Sequence, residues 1–160
     1  MKLGWLAVLP AALAAAAVSG VAHAQVDVRG AWVRGTVPAQ SSTGAFMTLQ
    51  AHSAAKLVGA SSPAAGTVEL HEMKMDGNVM RMHAVPSIDL PAMQPVELKP
   101  SGYHVMLIGL KAPLAKGTTV PITLKIQQGG KMMEQKVNAE VRDISATGDG
   151  GGMDMSGHKP

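Results

Sequence analysis

Between Val26 and Val141 the apolar residues recur in short alternating runs separated by turn signals, and no segment sustains a 3.6-residue period. This pattern constrains the fold most, because it leaves no stretch from which an amphipathic helix could be built. The runs predict strands at Val26–Arg34, Gly44–Ala51, Lys56–Ala60, Thr67–Met73, Val79–Val85, Val96–Leu98, Tyr103–Leu110, Thr119–Gln127 and Met132–Arg142. The breaks include Ser61-Ser62-Pro63, Asp76-Gly77-Asn78, Pro100-Ser101-Gly102, Lys116-Gly117 and Gly129-Gly130. Asp-Gly and Gly-Gly between alternating runs signal hairpins, since glycine accepts the positive φ of a tight turn. Strands at this spacing predict an all-β domain, either a two-sheet antiparallel sandwich or a small barrel.

The ends of the chain read differently. Lys2 precedes an apolar run from Leu6 to Val18, and Ala22-His23-Ala24 is a small-x-small cleavage signal. The run is broken by Pro10 and is short for a membrane span, so residues 1–24 are expected to be a cleaved secretory signal peptide. The product starts at Gln25 and is expected in a bacterial periplasm. A cut after Ala22 would instead expose His23 as a copper-chelating N-terminus, a reading that Ala-x-Ala disfavours. Residues 25–144 form the β domain, and Ser145–Pro160, rich in Gly, Asp, Met, Ser and His, is expected to be a flexible tail.

Exported domains of this size often carry disulfides, yet the sequence has no cysteine, so the core alone must hold the fold. The same absence excludes blue copper, Cu(A), iron–sulfur and Cys-based zinc sites, all of which need thiolate. Net charge is +3 with scattered Lys and Arg, and one Phe, one Tyr and two Trp offer few stacking surfaces, which argues against nucleic-acid binding. No P-loop, dinucleotide fingerprint or nucleophile motif is present. What stands out is 12 Met, more than a core of this size needs as gap-filler.

Four residues give the methionine content a purpose. Ten residues separate His71 from Met82, twenty-one separate Met82 from His104, and one separates His104 from Met106. Two imidazoles and two thioethers make an uncharged donor set, and thioethers favour Cu(I), whereas Mg²⁺ and Ca²⁺ want oxygen. Strand alternation puts His104 and Met106 on one face, and His71 on a face with Glu69 and Met73. A hairpin through Lys74–Asn78 would bring His71 near Met82. Met106, within His-Val-Met-Leu-Ile, equally suits a core position.

Val-Glu-Leu-His71, Met-Arg-Met82 and Tyr-His104-Val-Met106-Leu-Ile-Gly-Leu, with these gaps, resemble the PCu(A)C family of periplasmic copper chaperones. The resemblance runs from about Val26 to Val141, with Pro100-Ser101-Gly102 where the family usually has a Pro-Gly-Gly-like turn. It implies a cupredoxin-like Greek-key β-sandwich and a Cu(I) site made by His71, Met82, His104 and Met106. It also implies delivery of copper toward the Cu(A) centre of cytochrome c oxidase, with a thioredoxin-like copper chaperone as a further partner. Such a protein is not an enzyme.

Two further clusters bear on copper. Met73, Met75 and Met80 crowd the same hairpin, as stepping stones or as a hydrophobic rim, and His83 faces away from Met82 by alternation. In the tail, Met153, Asp154, Met155 and His158 combine thioethers, a carboxylate and an imidazole, a possible second copper site able to take Cu(II). The alternatives to delivery are periplasmic copper buffering or tolerance, a copper-dependent oxidative enzyme, and a purely structural sandwich.

Overall fold

The computed structural model describes residues 26–143 and Ser145, so the expected signal peptide and the tail copper ligands lie outside the described residues. Ten strands follow in order: β1 (Val26–Arg34), β2 (Ser42–Ala51), β3 (Ala55–Ser61), β4 (Ala65–Asp76), β5 (Val79–Ala84), β6 (Ile88–Leu90), β7 (Pro95–Leu98), β8 (Tyr103–Leu110), β9 (Thr119–Gln128) and β10 (Lys131–Arg142). No helix occurs among the described residues. All the strands except β6 correspond to the alternating runs of the sequence. β6 is a three-residue Ile-Asp-Leu segment between Pro86 and Pro91, too short to alternate legibly, and it exists by pairing with β3.

The strands are neighbours in the order β5-β4-β8-β2-β1-β10-β9-β3-β6, with β7 also on β2. The fold is all-β and cupredoxin-like. The pairing is antiparallel, as expected, except that β1 runs parallel to β10, with Trp32 opposite Glu140 and Arg34 opposite Arg142. Alternation within a strand is the same whichever way its neighbour runs, so the sequence could not reveal this. The β3 and β9 residues Leu57, Ile122, Leu124 and Ile126 share one core with Leu70, Val105 and Leu107 of β4 and β8. The two ends of the strand path are therefore wrapped over a common interior, as in a sandwich. Leu49, Leu57, Leu107, Leu124 and Ile126 are fully buried, each stabilising the fold by about 1.5–3 kcal/mol, with no disulfide to assist.

One detail of the topology positions the site. The edge of β2 that faces away from β1 is divided: Ser42–Ala45 pair with β8, and Met47–Gln50 pair with β7. Phe46 stands where β2 changes partner.

Candidate metal centre

His71 on β4 stands directly opposite His104 on β8. Their ring centroids are 5.8 Å apart and tilted by 59°. Two residues along, Met73 of β4 pairs with Met82 of β5; two residues the other way, Glu69 of β4 pairs with Met106 of β8. Residues opposite each other, and residues two apart, share a face. Glu69, His71, Met73, Met82, His104 and Met106 therefore project from one side, while Leu70, Val105 and Leu107 fill the core on the other. The β5 partner of His71 is Ala84, so Met82 lies diagonal to His71, where its sulphur meets His104. Met82, His104 and Met106, with Met73, Phe46 and Arg34, line a cleft of about 280 Å³.

The contacts of His104 conflict for any neutral imidazole. Nδ1 lies 3.2 Å from the Gly102 carbonyl oxygen, and Nε2 lies 3.1 Å from the Met82 sulphur. Both neighbours are acceptors, whereas a neutral ring carries one N–H. With Nδ1–H donating to Gly102, the Nε2 lone pair is aimed at a thioether lone pair. Full protonation would satisfy both contacts, but His104 is only 5 % exposed, and burial pushes its pKa below the ordinary 6.5. The Gly102 hydrogen bond opposes that shift, and the nearby His71 and Arg34 add to it. A soft cation shared by Nε2 and the sulphur would resolve the conflict with no proton at all.

His71 is prepared in a complementary way. Its Nε2–H donates to Glu69 Oε2 at 2.8 Å, so a neutral ring carries its lone pair on Nδ1. That Nδ1 is buried and has no hydrogen-bond partner. A carboxylate on one ring nitrogen orients the imidazole and raises the basicity of the other, the usual arrangement behind a metal-binding histidine. Among the described residues no group of three or more His, Asp and Glu could hold a metal ion.

Phe46 lines the cleft and is backed by Trp32. Trp32 and Phe46 are each 4 % exposed yet lie outside the central core, with ring centroids 4.6 Å apart. The Arg34 guanidinium lies over Phe46, and that of Arg142 lies over Trp32. The Phe46 ring sits 6.1 Å from His104 and covers Gly44, where an added Cβ would come within 2.6 Å of the ring. Gly102 ties the site to the turn before β8: its carbonyl accepts from both His104 Nδ1 and the Met73 amide.

The remaining candidates separate clearly. His83 pairs with Glu72 on the opposite face, and His52 is exposed beside Asp27 at 3.1 Å. Met75 and Met80 pair with each other near the hairpin tip. Met153, Asp154, Met155 and His158 lie outside the described residues.

Residues 26–141 match the family model described as "Putative lipoprotein LpqE-like". The chain belongs to the LpqE-like family. A "Putative lipoprotein" of Leifsonia xyli subsp. xyli is 32 % identical over 121 residues, covering 75 % of this chain and 71 % of the relative. The LpqE-like fold is also that of PCuAC domains. A copper-bound PCuAC domain from PmoF2 superposes with a TM-score of 0.62 at 21 % identity, covering 76 % of this chain and 96 % of that one. The apo form of DR1885 from Deinococcus radiodurans gives 0.57 at 35 % identity, covering 89 % of this chain and 97 % of DR1885. Its Cu(I) form gives 0.59 at 37 % identity, with coverage of 78 % and 83 %.

Sequence reasoning missed several residues around this LpqE-like cleft. Glu69 carried a usable signal, since it lies two residues before His71 on the same strand face. Arg34, Gly44 and Phe46 carried none, because β1 and β2 reach the site only through the sheet order.

Proposed function

We propose that this LpqE-like protein is a periplasmic copper chaperone that carries Cu(I) on His71, Met82, His104 and Met106 and delivers it toward the Cu(A) centre of cytochrome c oxidase. The observation that carries this reading is the pair of contacts at His104, an imidazole nitrogen facing a thioether at 3.1 Å. The orphaned Nδ1 of His71 supports it, and so does the likeness to copper-bound domains. Four neutral ligands leave a net charge of +1, which the Glu69 carboxylate behind His71 balances. No coordination position is left open for activating water, so the role is carriage rather than catalysis.

The donors differ in accessibility, and that difference suits transfer. His104 is 5 % exposed, whereas Met82 is 46 % exposed on the edge strand β5. An incoming donor from a recipient, or from a thioredoxin-like partner, displaces the Met82 thioether first while the histidines still hold the ion. In this reading residues 1–24 are a cleaved signal peptide, and Met153, Asp154, Met155 and His158 form an accessory site that takes Cu(II). The methionines beyond those one site needs favour a second reading, copper buffering. A deletion strain grown at low copper distinguishes them: lost oxidase activity supports delivery, and copper sensitivity alone supports buffering.

Competition titration with a chromogenic Cu(I) chelator tests the ligand set. His104→Ala and Met106→Ala should weaken Cu(I) binding far more than they lower the unfolding temperature. A Met106→Ala protein that unfolds while retaining copper affinity would make Met106 a core residue.

A further inference from the structure

The β4–β5 hairpin continues past the sheet. The Met73 amide makes the last backbone bond to the neighbouring turn, at the Gly102 carbonyl, and beyond it residues 74–81 form a two-stranded ribbon. Gly77, at φ 64°, and Asn78 close the ribbon in a two-residue loop of the type that places glycine first. Such a loop makes Asp76 and Val79 a hydrogen-bonded pair. The next rung, Met75 opposite Met80, is then non-hydrogen-bonded, with Cα atoms about 4.5 Å apart and side chains close. Met73 and Met82 occupy the same kind of rung one repeat nearer the cleft, about 7 Å along the strands.

All four methionine side chains leave the ribbon on the face that carries His71 and His104. The other face of the ribbon carries Lys74, Asp76, Val79 and Arg81, with Asp76 and Arg81 joined at 3.3 Å. An amphipathic hairpin ordinarily buries its apolar face, yet Met75 is 56 % exposed and Met80 is 44 % exposed. These methionines fill no core.

We propose that Met75 and Met80 form a second Cu(I) site, a landing point at the ribbon tip from which the ion passes along the Met73–Met82 rung to His71 and His104. This rests on the copper-carrying reading of the cleft and extends it with an entry route. Two thioethers hold Cu(I) without releasing a proton, and the remaining positions accept water or a donor from the delivering molecule. Each step is a ligand exchange: a copper–sulphur bond to Met75 or Met80 breaks as one to Met73 or Met82 forms. Copper stays Cu(I) throughout, so no electron is needed. Two weak donors at the tip and two imidazoles at the cleft set the direction of travel.

The test titrates Cu(I) into the full chain with its methionine ε-methyl groups 13C-labelled, beside the double variant Met75→Leu, Met80→Leu. Leucine conserves volume and removes the sulphur. The first equivalent should shift Met82 and Met106 and the second should shift Met75 and Met80; in the variant the ribbon response is lost and stopped-flow loading of the cleft slows. A second equivalent that leaves Met75 and Met80 unmoved, shifting only Met153 and Met155 or nothing, overturns the site. Unchanged loading kinetics in the variant overturn the route. A response at Met75 and Met80 with none at Met82 and Met106 would uphold the ribbon site and sink the copper-carrying reading of the cleft.

Discussion

Removing the Glu69 carboxylate should weaken Cu(I) binding without unfolding the protein. Glu69 touches no metal in this account; it accepts the Nε2–H of His71 at 2.8 Å and so keeps the lone pair on the buried Nδ1. Loss of such an orienting partner typically costs 10–100-fold in metal affinity. Here the Glu69 side chain is 43 % exposed, so water can take over part of its role and screens its charge. The expected loss for Glu69→Ala is therefore at the low end, about tenfold, or about 1.4 kcal/mol. Glu69→Gln keeps an acceptor but drops the charge, and should lose less. The assay is competition with a Cu(I) chelator, combined with 15N shifts of the His71 ring, which should show the Nε2–H tautomer in the wild type and a mixture in Glu69→Ala. Wild-type affinity in Glu69→Ala would refute the reasoning. So would a copper loss matched by an equal loss of apo stability, since the carboxylate would then be holding the fold.

Other outcomes follow from the same geometry. Gly44→Ala puts a methyl 2.6 Å from Phe46 Cζ, so the ring must move; an overpacking cost of about 1–3 kcal/mol and altered Trp32 fluorescence are expected. Unchanged melting and emission would mean that the ring yields freely. Burial holds the folded-state pKa of His104 below the 6.5 of a free imidazole, so the unfolded chain takes up this proton first as pH falls. Apo stability should accordingly decline as pH drops below about 6.5, until the folded-state pKa is passed. His104→Gln should lose this part of the slope, and identical slopes would contradict the assignment. Deleting Ser145–Pro160 should leave the Cu(I) equivalent at the cleft and lower the Cu(II) bound; unchanged Cu(II) stoichiometry would remove the tail from the copper account.

The limits of what the sequence could reveal follow from the range over which each signal acts. Alternation is local, so it revealed the strands and the shared faces of His104 with Met106 and of His71 with Met73. The hairpin signal at Asp76-Gly77-Asn78 brought Met82 back alongside β4, but the exact rung, Met73 opposite Met82, depends on the two-residue loop. The parallel β1–β10 pair and the β2 partner change at Phe46 depend on contacts across the whole chain, so no short window encodes them. Hence the aromatic pair and Arg34 stayed invisible, although Phe46 and Trp32 were plain in the sequence as two of its few aromatics. β6 was too short to register at all.

Copper carriage rests on two imidazoles and two thioethers holding one Cu(I) beside the cleft. X-ray absorption at the copper edge, on tail-deleted protein loaded with one equivalent of Cu(I), measures that donor set directly. The copper should show a first shell of two nitrogens and two sulphurs, with one sulphur lost in Met82→Leu and one nitrogen lost in His104→Ala. A shell of nitrogen and oxygen without sulphur, or an unchanged shell in both variants, would contradict it.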